Sequence, residues 1–236
     1  MSRFTDFMPA AYARLYNADE ITQHAAIASR RGSQLVHAEV WPSTKGPRLC
    51  VIAEDRPGLL AFMTDALLAQ GMAIQSARAF CREVSKDTAE AVDFLELRAL
   101  QGPEDAASQL DADGLSAFVQ FLTEVVADDM AQRATPSARI SSTRAGPPTR
   151  VYFENQSSAD GRYLLVVDAP DSNGLLHAVS STLNAQGMRI MACQINTVSG
   201  RAHDRFELEP SAQRSLSEAE LCDVQLAVFD ALPSRG

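Results

Sequence analysis

Apolar positions change period along this chain in an order that occurs twice. Leu49, Val51 and Ala53 recur every second residue, the spacing of a half-buried strand. Leu60, Met63 and Leu67 then fall at helical spacing, and the run stops at Gly71. Leu165, Val167 and Ala169, followed by Leu176, Val179, Leu183 and Gly187, repeat both periods. Behind each helix the pattern returns to strand, over 72–80 and 91–97 in the first run and 188–198 and 204–208 in the second. A second amphipathic helix closes each run: Leu115, Phe118, Leu122 and Val125 mark one, Leu221, Val224, Val228 and Leu232 the other. An extended segment leads each run, at 34–41 and at 150–154.

The repetition is one of residues as well as periods. Gly58 laid on Gly174 gives an offset of 174 − 58 = 116, which also sets Gln70-Gly71-Met72 on Gln186-Gly187-Met188. Past the second hairpin the offset falls to 204 − 93 = 111, so the first copy's hairpin is longer by five residues. Each copy therefore reads strand, strand, helix, strand, strand, helix. The leading strand can fill by a hairpin the slot that a β-α-β-β-α-β sandwich gives its last strand. The predicted fold is α+β, with two tandem ferredoxin-like sandwiches, each carrying both helices on one face of a four-stranded sheet. The expected boundaries are a helical segment over 1–33, a first domain over 34–133, a linker rich in Pro, Ser and Gly over 134–149, and a second domain over 150–236. Within the first segment the spacing predicts one helix over 12–31. Edge strands and apolar helix faces imply that either the two halves pack together or the chain forms a homodimer.

Composition narrows the function classes. A net charge of −9 opposes a phosphate backbone, so no nucleic-acid partner is expected. The excess of Asp and Glu over 83–133 reads as a solvated face. Cys50, Cys81, Cys193 and Cys222 stand apart and read as buried thiols, with no metal-ligand spacing and no implied cofactor. His24, His37, His177 and His203 are scattered. Ser180 and Ser181 have no base paired with them in the sequence, and Gly200 with Asp204 suits a hairpin turn. No apolar stretch has the length of a membrane span, so a cytoplasmic protein is expected.

The sharpest chemical signal is DRPGLL at 55–60. Asp55 can cap the following helix and Pro57 suits its first turn, while Gly58 lets a ligand approach the backbone. The free N–H groups of a helix start can hold a carboxylate, and Asp55 can accept from an ammonium, a combination suited to an α-amino acid. The alternative is that Asp55 and Pro57 start a helix and Gly58 packs it close to the sheet. Copy two reads DSNGLL, so Ser172 and Asn173 replace Arg56 and Pro57.

DRPGLL, the helix ending in AQGM and the strand beginning Ile74-Gln-Ser-Ala resemble ACT domains, small modules that bind amino acids and regulate enzymes. The segment 148–176, PTRVYFENQSSADGRYLLVVDAPDSNGLL, is similar to the entry into the last ACT domain of bacterial PII uridylyltransferases, glutamine-sensing enzymes of nitrogen control. Met8-Pro9-Ala-Ala-Tyr12 and Ile21-Thr-Gln-His24-Ala resemble the helical segment before that ACT pair. The catalytic constellations of that family are absent, so the resemblance implies a regulatory protein that is not an enzyme. It would sense glutamine or a similar amino acid and modulate a partner enzyme. The implied ligand-binding residues are Asp55, Arg56, Pro57, Gly58, Leu59 and Leu60 at the first turn, with Asp171, Asn173, Gly174 and Leu175 at the second. The other expectation is an interaction scaffold with vestigial pockets, like the tandem-ACT repressor of glycine cleavage.

Overall fold

Both runs of alternating period form the elements their spacing predicts. The computed structural model describes residues 4–9, 11–43, 46–85, 88–101, 107–108, 110–128, 148–154, 161–212 and 214–232. The first unit contains β1 (Val36–Ser43), β2 (Gly46–Glu54), α3 (Leu59–Ala69), β3 (Met72–Glu83), β4 (Ala89–Ala99) and α4 (Ala112–Ala127), with a short β5 (Ala107–Ser108) beside β4. The second contains β6 (Arg150–Glu154), β7 (Tyr163–Pro170), α5 (Leu175–Ala185), β8 (Met188–Val198), β9 (Arg201–Pro210) and α6 (Glu218–Ala231). Before them come α1 (Tyr12–Leu15) and α2 (Ala18–Arg31). No helix among the described residues is long and apolar enough to cross a membrane. The linker read over 134–149 lies, except for its last two residues, outside the described residues.

Each leading strand pairs antiparallel with its successor, Val36 opposite Ala53 and Val151 opposite Val167. The strand order is β1-β2-β4-β3 in one unit and β8-β9-β7-β6 in the other, and β3 pairs with β8 to join them into one sheet. Of the two packings left open by the sequence, the halves meet within the chain. Arg78 lies opposite Gln194 at that seam, and 194 − 78 = 116, so each residue faces its own repeat equivalent. A local two-fold axis therefore passes between them.

One face of the sheet is covered by α3, α4, α5 and α6 over a shared core that includes Met63, Leu67, Phe118, Leu122, Leu165, Val179, Leu183, Phe206 and Val228. Burying each such large side chain contributes roughly 1.5–3 kcal/mol. On the other face α1 and α2 cover the first unit alone, packing Tyr12 and Ile27 against Trp41, Phe80 and Phe94. His24 is 0% exposed there, 2.6 Å from the Tyr12 hydroxyl, and burial lowers its pKa to about 4.

Two expectations about the helices fail. The single helix over 12–31 is broken, because Asn17 adopts an extended backbone and accepts from the Asp19 and Glu20 N–H groups. Glu20 returns a carboxylate to the Asn17 N–H, completing a capping box that starts a new helix. Cys222 is exposed rather than buried, since it lies away from the face of α6 that carries Leu221, Val224 and Val228.

Candidate functional site

The two Gly-Leu-Leu turns start their helices in the same way, and not by side-chain capping. Gly58 and Gly174 occupy the N-cap positions with φ of 80° and 86°, left-handed values that favour glycine. Asp55 was expected to cap α3. Instead its carboxylate turns toward the second unit, accepting from the Cys81 thiol at 3.3 Å and from Arg189 Nη2 at 3.3 Å. Among the described residues the Leu60 and Ala61 N–H groups meet no backbone acceptor, as expected for a first helical turn.

A cavity of about 50 Å³ opens at the first turn. All six residues predicted over 55–60 line it, together with Ser180, Asn184, Arg189 and Ile190 of the second unit. Arg56 lies at the rim with its side chain 40% exposed, paired to Glu54 at 2.7 Å. A cavity of about 30 Å³ at the second turn is lined by Asp171, Ser172, Gly174 and Leu175, together with Thr64, Leu68, Ala73 and Arg98 of the first unit. Thr64, Leu68 and Ala73 are the equivalents of Ser180, Asn184 and Arg189 at the 116-residue offset. The two cavities are thus related by the local axis, and each is built from both units. Asn173 is outside the second lining. It is exposed and accepts from Arg98 Nη2 at 3.2 Å.

The cavities differ in where the arginine originates. In the first, Arg189 reaches Asp55 from β8. In the second, the equivalent position on β3 is Ala73, and the charge comes from Arg98, directly opposite Ala73 on β4. Arg98 pairs with Asp171 at 3.2 Å. At the axis itself His177 Nδ1 lies 3.1 Å from the Ala61 carbonyl oxygen, tying α5 to α3.

Two carboxyl groups that sequence reasoning did not nominate line these cavities. Asp93 is 3% exposed in the first and Asp204 is 1% exposed in the second. Burial, aided by the Asp55 charge, pushes the Asp93 pKa well above the usual carboxylate range. Burial raises Asp204 to about 7, against the Asn196 N–H that its Oδ1 accepts at 3.2 Å. Among the described residues its Oδ2 has no hydrogen-bond partner, and neither does the buried Ser172 hydroxyl in the same lining. Asp55 is also raised, mainly by burial. The hairpin-turn reading of Asp204 fails because the turn lies at Ser199-Gly200, and Asp204 sits on the core face of β9 with Ala202 and Phe206. The sequence did carry a signal: a lone carboxylate in step with Ala91 and Leu95, matched to Asp204 at the 111-residue offset.

No family model matches the chain. Curated relatives do. The chain is similar to one stretch of a much larger bacterial enzyme. It is 32% identical over 197 residues to the bifunctional uridylyltransferase/uridylyl-removing enzyme of Xanthomonas oryzae pv. oryzae, across 81% of this chain and 20% of that protein. It is 25% identical over 224 residues to the enzyme of the same description from Phenylobacterium zucineum, covering 92% of this chain and 23% of that protein. For Caulobacter vibrioides the identity is 26% over 212 residues, 86% and 21% of the two chains. The chain thus spans about a fifth of the length of the curated relatives it matches.

Proposed function

We propose that this chain is a non-catalytic regulatory pair of ACT-type, ferredoxin-like units that binds a small amino acid, glutamine or one like it, and modulates a partner enzyme. The observation that carries this reading is the paired cavities, each placing a glycine turn, a carboxylate and a helix start against an arginine of the other unit. At the first site the ligand's ammonium would face Asp55 and Asp93, and its carboxylate would take Arg189 and the Leu60 and Ala61 N–H groups. A cavity of about 50 Å³ holds only a few waters. Ligand entry therefore has to part Asp55 from Arg189, and with them the two units. That requirement links occupancy to domain arrangement, because a ligand shifts an equilibrium only by its unequal affinity for the two states. The relatives named above support the regulatory reading through the match to one stretch of an enzyme concerned with uridylylation.

A thermal-shift screen of the twenty amino acids against the full chain tests the proposal. A ligand present at a hundred times its dissociation constant should stabilise the protein by about 2.7 kcal/mol, and Asp55→Asn should remove the shift. A screen without any shift would defeat the sensor reading.

A second reading, an interaction scaffold with vestigial sites, is favoured by one surface. Tyr152, Leu226 and Phe229 are 40%, 52% and 46% exposed beside the edge strand β6. Self-association through that edge would give the homodimer, and light scattering of Phe229→Glu against the unaltered chain would detect it as a loss of mass.

A further inference from the structure

A space in the junction between the units, larger than either turn's cavity, belongs to neither turn. It is a groove of about 490 Å³ on the opposite face of the sheet, against about 50 Å³ for the first turn's cavity. Its floor is the β3–β8 seam, and Tyr16, Asn17 and Glu20 of the N-terminal layer line its side together with Trp41 and Arg48. Arg78 lies on this floor at the local axis, half-buried, opposite Gln194. Among the described residues it has no carboxylate partner, whereas its neighbour Arg48 is 3.5 Å from Glu96, which also accepts from Ser76. Burial lowers the Arg78 pKa, Tyr16 opposes that shift, and the neighbouring Arg48 adds to it.

Two further polar groups point to a ligand. The Tyr16 hydroxyl oxygen is buried in the same lining without a hydrogen-bond partner among the described residues. Gln75 enters the groove because the register of β3 slips between Ile74 and Ser76, and a bulge re-aims the side chain it carries. The second unit repeats the slip between Ile190 and Ala192, but there the equivalent residue is Met191, which is 1% exposed. One irregularity of the fold thus delivers an amide to the groove in the first unit and an apolar side chain to the interior in the second.

We propose that this groove is a binding site for a small organic oxyanion, a carboxylate or a phosphate monoester. Its charged end rests on Arg78 and its polar body lies against the Tyr16 hydroxyl and the amides of Gln75 and Asn196. A planar guanidinium without a partner takes such groups through paired hydrogen bonds. The site is separate from both turns and does not depend on their binding an amino acid.

The test is a nitrogen-15 NMR titration of the full chain with inorganic phosphate and with glutarate, each referenced to chloride at equal ionic strength. Saturable shifts of the Arg78 side chain and of the amides over 75–78 and 194–196 are expected for at least one probe. A response to phosphate alone assigns the phosphate class, and a response to glutarate alone the carboxylate class. Arg78→Ala should weaken binding about tenfold or more. Gln194→Glu places a carboxylate directly across from Arg78, and should abolish binding while the amide spectrum away from the groove stays native. The proposal is overturned if neither probe shifts these signals beyond chloride, or if Gln194→Glu leaves the affinity unchanged.

Discussion

A carboxyl group that is 1% exposed, with one oxygen satisfied and one not, makes Asp204 the most heavily loaded side chain of the second cavity. Its folded pKa of about 7 exceeds the unfolded value of about 3.9. Below both values neither state is ionised and the group contributes nothing to the pH dependence. Between them the unfolded chain releases the proton first, so stability falls as pH rises, by up to about 4 kcal/mol, and stays lost above pH 7. Asp204→Asn should therefore flatten the fall in melting temperature between about pH 5 and about pH 8, and raise the midpoint at the higher pH. An equal drop at both would mean that the carboxyl serves only as a hydrogen-bond acceptor. Residues of this kind were half legible in the sequence. The Gly-Leu-Leu turns announced themselves by repetition, but Arg189 and Arg98 did not, because each acts across the seam on a turn in the other copy.

Among the elements, helices were read well in their apolar faces and poorly at their starts. Tyr12, Leu15 and Tyr16 hold a helical spacing and Ile21, five residues on, does not, but apolar positions alone do not locate the new start at Asn17. The Asn17 and Glu20 pair was the available sign. Asn17→Ala should cost about 1 kcal/mol in a denaturant melt, mostly by loosening α2 from Trp41 and Phe94. The glycine turns give a sharper contrast. A Cβ on Gly58 must adopt a φ of +80° and would lie 2.9 Å from Asn184 Nδ2, while one on Gly71 meets nothing within 4 Å. Each Gly→Ala change should cost about 1–2 kcal/mol for the left-handed conformation. Only Gly58→Ala should be partly rescued by Asn184→Ala in a double-mutant cycle, and equal behaviour of the two glycines would count against this close approach of the units.

At the level of the molecule, the sequence made the duplication plain but left open which edges meet, because a repeat supplies two equal candidates for every edge. The structure joins them at β3 and β8, where Arg78 faces Gln194 and His177 lies 3.1 Å from the Ala61 carbonyl oxygen, so a local axis runs through both layers. That junction turns two copies of a turn into two shared and unequal cavities. The first takes its arginine from β8 and the second from β4. Titration calorimetry of L-glutamine into the full chain, beside Arg189→Ala, addresses this sharing directly. The expected result is saturable binding with a dissociation constant below about 1 mM, near −4 kcal/mol, weakened about tenfold by removing an arginine that the binding turn's own unit does not supply. Absence of heat from glutamine and from every other amino acid, or an affinity untouched by Arg189→Ala, would contradict it.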